Sequence, residues 1–555
     1  METKPSHTAR FATHEVTNQP PPLAPYDAYA TDVALRQTMD REGATWAADA
    51  VAAYGPIAGG ELMELGFAAN ENKPSFKPFD RYGNRIDEVE FHPAYHRLME
   101  LGVAHGVANF AWRHAETPGA HVARAALMYL HCQADQGTCC PLTMTYASVP
   151  VFHHAPALAT EWLPRVTSIH YDARPLPAQM KRGNTIGMGM TEKQGGSDVR
   201  ANTTRAYPLE SGGANPRYEL VGHKWFLSAP MCDAFFTLAQ TERGISCFLL
   251  PRFNPDGGKN AILIQRLKDK LGDWSNASSE VEFQGAVAWR VGEEGRGVAT
   301  ILQMVALTRQ DCMIGSAALM RQALVQAIHH ARHRKAFGKM LSAQPLMQNV
   351  LAELALESEA ALAFTLRVAR AIDGTPRDPK EAAFARIATA IGKYWVCKRC
   401  PPFVNEAQEC LGGSGYVEES ILSRLYRQAP LNSIWEGSGN IQCLDVLRAL
   451  KREPETRDAL FAELSSVAKA NPLLDRHVAR LADQLEDKEN IELRSRALVE
   501  AMALGLQAVQ LLRAGGEIGE LFCQARLGEH GSRNFGTLAA SVPLDALIDR
   551  ALPPL

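Results

Sequence analysis

Glu436 stands between Trp435 and Gly437, beside the apolar Ile434, in NSIWEGSGNIQCLDVLRAL (432–450). A carboxylate held against an aromatic ring, with a flexible residue after it, suits a general base. Removal from water lifts its pKa toward the working range. The same residue also reads as a surface glutamate at a helix start, where the helix dipole favours negative charge. Local sequence alone favours that second reading.

Four other segments carry candidate chemistry. In GMGMTEKQGGSDVRANTTRA (187–206), Gly195-Gly196-Ser197-Asp198 forms a turn. Such a turn exposes backbone N–H groups and one hydroxyl to a planar ligand with acceptors, and it reads equally well as an ordinary β-turn. GHKWFLS (222–228) sets an aromatic pair ahead of a hydroxyl; alone it is core strand. In HHARHRKAFGKMLSAQPLMQNVLAEL (329–354), His329 and His333 lie four apart, a metal-compatible spacing. No carboxylate stands between them and no third ligand is evident, so no metal is expected. Arg334 followed by Phe337-Gly338 is better suited to gripping a phosphate and packing an aromatic beside it. In CLGGSGYVEES (410–420), Gly412, Gly413 and Gly415 permit close backbone approach to a ligand. GxGxxG occurs nowhere, which argues against a Rossmann cofactor domain. Cys397 and Cys400 have CxxC spacing without a partner pair, inside a helical pattern and directly before Pro401-Pro402. A redox or zinc role is not expected. Vicinal Cys139-Cys140 reads as pocket or core.

The elements that must position these residues follow from periodicity. Residues 1–30 are polar and proline-rich and read as an irregular arm. From 31 to 178, stretches such as YHRLMELGVAHGVANFAW (95–112) and AHVARAALMYLHCQAD (120–135) repeat apolar residues at three- and four-residue steps, placing one apolar stripe on a helix face. Between 179 and 291, YELVGHKWFLS (218–228), AFFTLAQ (234–240), ISCFLLPRF (245–253), AILIQRL (261–267) and SSEVEFQGAVAW (278–289) are separated by Gly, Pro, Asn and Asp. They read as an antiparallel β-domain. The helical period returns from 292 to 450, and 451–555 reads as a helical extension. The fold class expected is mainly α with a central β-domain.

With 555 residues, the chain is too long for one core and should divide into about three or four domains. A formal charge of −3 gives no global reason to expect nucleic acid. The start, METKPSHTARFATHEV, lacks the apolar core of a leader, and no run of about 18 apolar residues is present, so no membrane span is expected. Eleven scattered cysteines fit reduced thiols in the cytoplasm.

Taken together, MTEKQGGSDV, TTRA, GHKWF, RLKDKLG, SNASSEVEF and NSIWEGSGNIQCLDVLR, in this order and spacing, resemble the acyl-CoA dehydrogenase family over residues 30–450. With the helical extension they are similar to its AidB-like branch, flavoproteins associated with the adaptive response to DNA alkylation. The resemblance implies that family's fold (helical, β, helical), plus an extra C-terminal helical domain, with FAD between the last two family domains. Met190, Thr191 and Ser197 match the first flavin segment and Phe226, Leu227 and Ser228 the second; Gly412, Gly413, Trp435, Gly437 and Asn440 also match cofactor positions. Arg334, Phe337 and Gln344 match residues that reach the FAD of a neighbouring subunit, which implies a homotetramer. Glu436 matches the base that removes the α-proton of an acyl thioester while a β-hydride passes to flavin.

The branch is further linked with double-stranded DNA, weak acyl-CoA turnover and an arginine at the place of Arg448. Residues 451–555, however, carry 13 Lys and Arg against 16 Asp and Glu. DNA affinity there requires a basic stripe, for which Arg494, Arg496, Arg513, Arg526 and Arg533 are candidates. The alternative is a genuine dehydrogenase of a short or branched acyl thioester with no DNA role; a third is a scaffold with a structural flavin.

Overall fold

Two apolar runs, Ala234–Thr241 and Gly244–Pro251, are buried along nearly their whole length, and around them the β-domain is built. The computed structural model describes residues 13–210, 212–213, 215–529 and 531–554. Seven strands form this domain: β3 (Ile186–Gly189), β4 (Arg205–Pro208), β5 (Arg217–Ser228), β6 (Ala234–Thr241), β7 (Gly244–Pro251), β8 (Ile262–Leu267) and β9 (Ser278–Val291), preceded in the chain by β1 (Ser75–Phe79) and β2 (Arg85–Glu90). The pairings β6–β4, β4–β5, β5–β9, β9–β7 and β7–β6 close on themselves as a small barrel, with β3 beside β6 and β8 beside β9. Phe235, Phe248, Val281 and Phe283 are buried in its core, and Phe236 packs outward on Phe152 of the N-terminal helices. The expected antiparallel domain is corrected in one respect: β3 and β4 both run parallel to β6. These two strands arrive from outside the meander, and each is too short to announce itself in sequence.

The helical bundle rests on four helices: α1 (Gly297–His333), α2 (Pro345–Gly374), α3 (Pro379–Cys410) and α4 (Gly439–Arg452). At 37 residues α1 spans about 55 Å and is buried on most sides. Cys397 and Cys400 are fully buried on α3, and Cys139 and Cys140 are buried in the N-terminal helices, so these thiols are core.

The N-terminal region is helical from Val33 to Val166 except for the β1–β2 hairpin, which the helical reading passed over. There Asp80 accepts hydrogen bonds from the backbone N–H groups of Tyr82 and Asn84 and turns the chain. The arm is irregular over 13–30 yet packed: Leu23, Tyr26, Ala28 and Tyr29 are buried, and Tyr26 donates to Gln322 of α1 at 3.0 Å. Residues 1–12 of the expected arm lie outside the described residues.

The extension from Pro454 to Ala551 is helical and shares one core with the bundle and the N-terminal helices. Buried ion pairs latch it: Arg526 binds Glu353 and Glu357 of α2, and Arg367 binds Glu463 at 3.0 Å. Of the five arginines offered for a basic stripe, Arg526 alone is fully buried. Arg526 is internal, Arg513 pairs with Glu463, and Arg533 pairs with Glu500 at 2.7 Å. Arg494 caps backbone carbonyls at Gln484, Asp487 and Glu489, and Arg496 donates to Asn440 at 2.8 Å. Arg526 and Arg496 tie the extension to α2 and α4, while Arg494, Arg513 and Arg533 are partnered within it.

Candidate active site

Glu436 is not at a helix start. It lies in the loop before α4 with φ +58°, followed by Gly437 at +94°. A non-glycine residue there costs about 1–3 kcal/mol and persists only where its surroundings fix it. Lys393 of α3, itself buried, donates to the carbonyls of Trp435 (2.7 Å) and Gly437 (2.5 Å). Arg309 of α1 and Gln442 of α4 both donate to the Glu436 carbonyl at 3.1 Å. Arg309 is held in turn by Asp445 at 2.8 Å, which also binds Arg386 at 3.0 Å. Glycine suits the positive φ at 437, and a Cβ there would sit 2.7 Å from the Gln442 amide and displace it from the Glu436 carbonyl. Three helices thus clamp one strained turn.

The side chain of Glu436 is half-buried and accepts a 2.7 Å hydrogen bond from the Thr308 hydroxyl of α1. Burial pushes its carboxyl above the usual carboxylate range, while the Thr308 bond and the charges of Lys393 and Arg309 hold it partly down. A shielded, geometrically fixed carboxylate with a raised pKa is what proton abstraction needs.

The two β-domain segments are joined directly. The Trp225 N–H donates to the Thr191 carbonyl at 2.8 Å. Beneath them Glu192 and Lys224 form a fully buried pair at 2.7 Å, with Thr203 and Thr204 of TTRA completing the Glu192 shell. Burial alone would raise the Glu192 carboxyl, but Lys224 and these donors hold it well below the usual carboxylate range. Burial draws Lys224 down to about 8 against the pull of Glu192. Leu227 is buried, Ser228 shares a 2.9 Å hydrogen bond with Ser278, and Ser197 is exposed on its loop. Met190 and Trp435 pack on the same barrel core, which brings the β-domain and the Glu436 loop together.

Apolar surface remains uncovered around this seam: Phe226 is 47 % and Ile434 62 % exposed. A planar, largely apolar ring with polar edges fits such a wall beside the Ser228 hydroxyl, which is the chemistry of an isoalloxazine.

Arg334, Phe337 and Gln344 form a second group at the end of α1. Phe337 and Gly338 are the two turn residues of a tight hairpin, both with positive φ, and Phe337 is 98 % exposed. Arg334 donates to the Asn18 carbonyl of the arm at 2.6 Å, and Gln344 to the Ala336 carbonyl at 3.1 Å. No hydrogen bond among the described residues links this group to Glu436. Gly412 (φ +60°) and Gly413 are exposed, with no atom within 4 Å of an added Cβ. Asn440 is bound by Arg496 from the extension. Arg448 is exposed and only 3.7 Å from Asp445. His329 and His333 bond to the carbonyls of Pro21 and His329 respectively, and no cluster of three metal-ligating side chains exists among the described residues.

Three family models match the chain in sequence order: the adaptive response protein AidB N-terminal domain over 18–173, the acyl-CoA dehydrogenase middle domain over 187–286 and its C-terminal domain over 295–451. The chain belongs to the acyl-CoA dehydrogenase family. Putative acyl-CoA dehydrogenase AidB of Escherichia coli K12 is 49 % identical over 523 residues, covering 94 % of this chain and 96 % of its own. Acyl-CoA dehydrogenase family member 11 of Caenorhabditis elegans is 30 % identical, covering 76 % and 70 %. The solved ACDH-11 of C. elegans, in complex with C11-CoA, superposes with a TM-score of 0.86 at 25 % identity over 95 % of this chain and 94 % of its own. An apo-form structure, Bd2924, gives 0.82 at 27 % over 90 % and 100 %. As a member of this family the chain is an FAD-dependent oxidoreductase of the acyl-CoA dehydrogenase type.

Sequence reasoning missed the residues that hold the Glu436 turn: Thr308, Arg309, Lys393 and Gln442. Nothing local marks Thr308, Arg309 and Lys393, which act on a segment 42 to 128 positions away, whereas Gln442 lies inside the 432–450 motif.

Proposed function

We propose that the protein dehydrogenates a short or branched acyl thioester, with Glu436 removing the α-proton. When bound, FAD supplies the acceptor for the β-hydride. The observation that carries this reading is the Glu436 carboxyl itself: shielded, raised in pKa, bonded to Thr308 and aimed from a turn clamped by three helices. Met190, Thr191, Ser197, Phe226, Leu227, Ser228, Gly412, Gly413, Trp435, Gly437 and Asn440 hold the cofactor. The complex of the nematode relative with C11-CoA supports a CoA thioester as ligand. Anaerobic bleaching of the flavin by isovaleryl-CoA tests this. Glu436→Gln should retain FAD and lose bleaching, and unchanged reduction in that variant removes Glu436 from the role.

The assembly we assign is a homotetramer in which Arg334, Phe337 and Gln344 reach a neighbour's FAD. An almost fully exposed phenylalanine in a strained turn supports it. No described helix is long and apolar enough to cross a membrane. Eleven free, buried cysteines support a reducing compartment, the cytoplasm.

A second reading, association with double-stranded DNA in the response to alkylation, is favoured by the likeness to AidB and by the lightly engaged Arg448. Retardation of duplex DNA that weakens with salt and is lost in Arg448→Glu would support it; no retardation at low salt rejects it.

A further inference from the structure

Arg252, at the end of β7, is 8 % exposed and makes no ion pair within 4 Å among the described residues. Its Nη1 meets only the Met231 sulfur, at 3.4 Å, and its Nε has no partner. A buried guanidinium without an acceptor is costly, and such groups in native proteins ordinarily serve a ligand. Arg252 and Met231 line two adjoining cavities, of 340 Å³ and 210 Å³, between the β1–β2 hairpin and the barrel. The larger falls among small-ligand pockets, roughly 300–1,000 Å³. Glu436 lines neither.

The charges around the larger cavity are nearly all committed. Asp233 is bound by Lys181 at 2.5 Å and by the Thr185 N–H, Asp172 by Arg174 at 2.6 Å, and Glu90 by Lys77. Glu88 lacks an ion pair among the described residues and disfavours ligands of high negative charge. Along one wall Phe91 stacks on Tyr95 at 4.0 Å next to Met99, an apolar strip. Beside it His96, kept neutral by burial, bonds to the Tyr171 hydroxyl at 3.0 Å.

We propose that this cavity binds a small monocarboxylate, its two oxygens on the terminal Nη end of the Arg252 guanidinium and its apolar body along Phe91, Tyr95 and Met99. A guanidinium edge matches both oxygens of a carboxylate, and a single negative charge is what the unpaired Glu88 tolerates. Because Glu436 is not among the lining residues, the proposal does not depend on the reading of Glu436.

Calorimetric titration of the FAD-loaded protein with sodium octanoate tests it, with inorganic phosphate as the competing anion. Saturable octanoate binding is expected, weakened about 10- to 100-fold in Arg252→Met, the range for loss of charge-assisted hydrogen bonds. Ala173→Trp, at the exposed rim of the cavity, is expected to weaken it with Arg252 intact, which guards against misfolding of the buried-site variant. Equal affinity in both variants and wild type, phosphate binding as tight as octanoate, or displacement of octanoate by isovaleryl-CoA would each overturn the assignment.

Discussion

Thr308→Val removes one oxygen and keeps the shape of the side chain. In the structure that oxygen is 2.7 Å from the Glu436 carboxylate and 3.0 Å from the Val305 carbonyl. The hydroxyl has one hydrogen for two acceptors, and an ionised Glu436 claims it. A hydrogen bond to a charged group contributes about 1.5–3 kcal/mol, and one pKa unit corresponds to about 1.36 kcal/mol. The variant's carboxyl should therefore titrate about 1–2 units higher than that of wild type. The active form is the carboxylate, so flavin reduction rises with pH through this pKa, and the whole profile should move to alkaline pH. At a pH below the midpoint the reduction rate falls about 10- to 100-fold, and it recovers at high pH. The assay is stopped-flow bleaching by isovaleryl-CoA from about pH 5 to 9. A profile with the wild-type midpoint, whatever its height, would refute the account of Thr308 as the group that sets the base's acidity.

Lys393→Met takes two charged hydrogen bonds from the Glu436 turn and should lower unfolding stability by about 3 kcal/mol, read by denaturant melting, and reduce kcat more than it raises KM. Lys224→Met strands the Glu192 charge in the β-domain and should cost about 3–5 kcal/mol, much of it restored by adding Glu192→Gln. Because Glu192 titrates below its unfolded value, its stabilisation is complete above about pH 5 and is lost as pH falls through the folded pKa. An acid melting curve unchanged in Glu192→Gln would contradict this. Arg334→Ala should purify with less FAD per subunit by absorbance, and equal flavin content argues against its contact with a neighbour's cofactor.

The barrel strands β5 to β9 were legible because each is a run of apolar or alternating residues closed by Gly, Pro or Asn, signals that act over a few residues. The β1–β2 hairpin and the parallel strands β3 and β4 were not, since four to six residues carry too little periodicity to outweigh helical neighbours. Glu436 was legible as a candidate only through its flanking motif. Composition could not show that Arg513, Arg526 and Arg533 are ion-paired and that Arg494 is bound to backbone carbonyls, because a charge count is blind to pairing.

Sequence by itself determined the helical, β, helical order and marked the candidate flavin segments and the candidate acidic side chain, all properties of short contiguous stretches. Tertiary structure alone decided that Glu436 is buried enough to raise its pKa and that Thr308, Arg309 and Lys393, from α1 and α3, converge on its turn and hold that pKa partly down. The same is true of Arg252, left with a cavity in place of an acid. The reason is that pKa and polar satisfaction depend on which groups lie within a few ångströms, and folding chooses those neighbours from far along the chain.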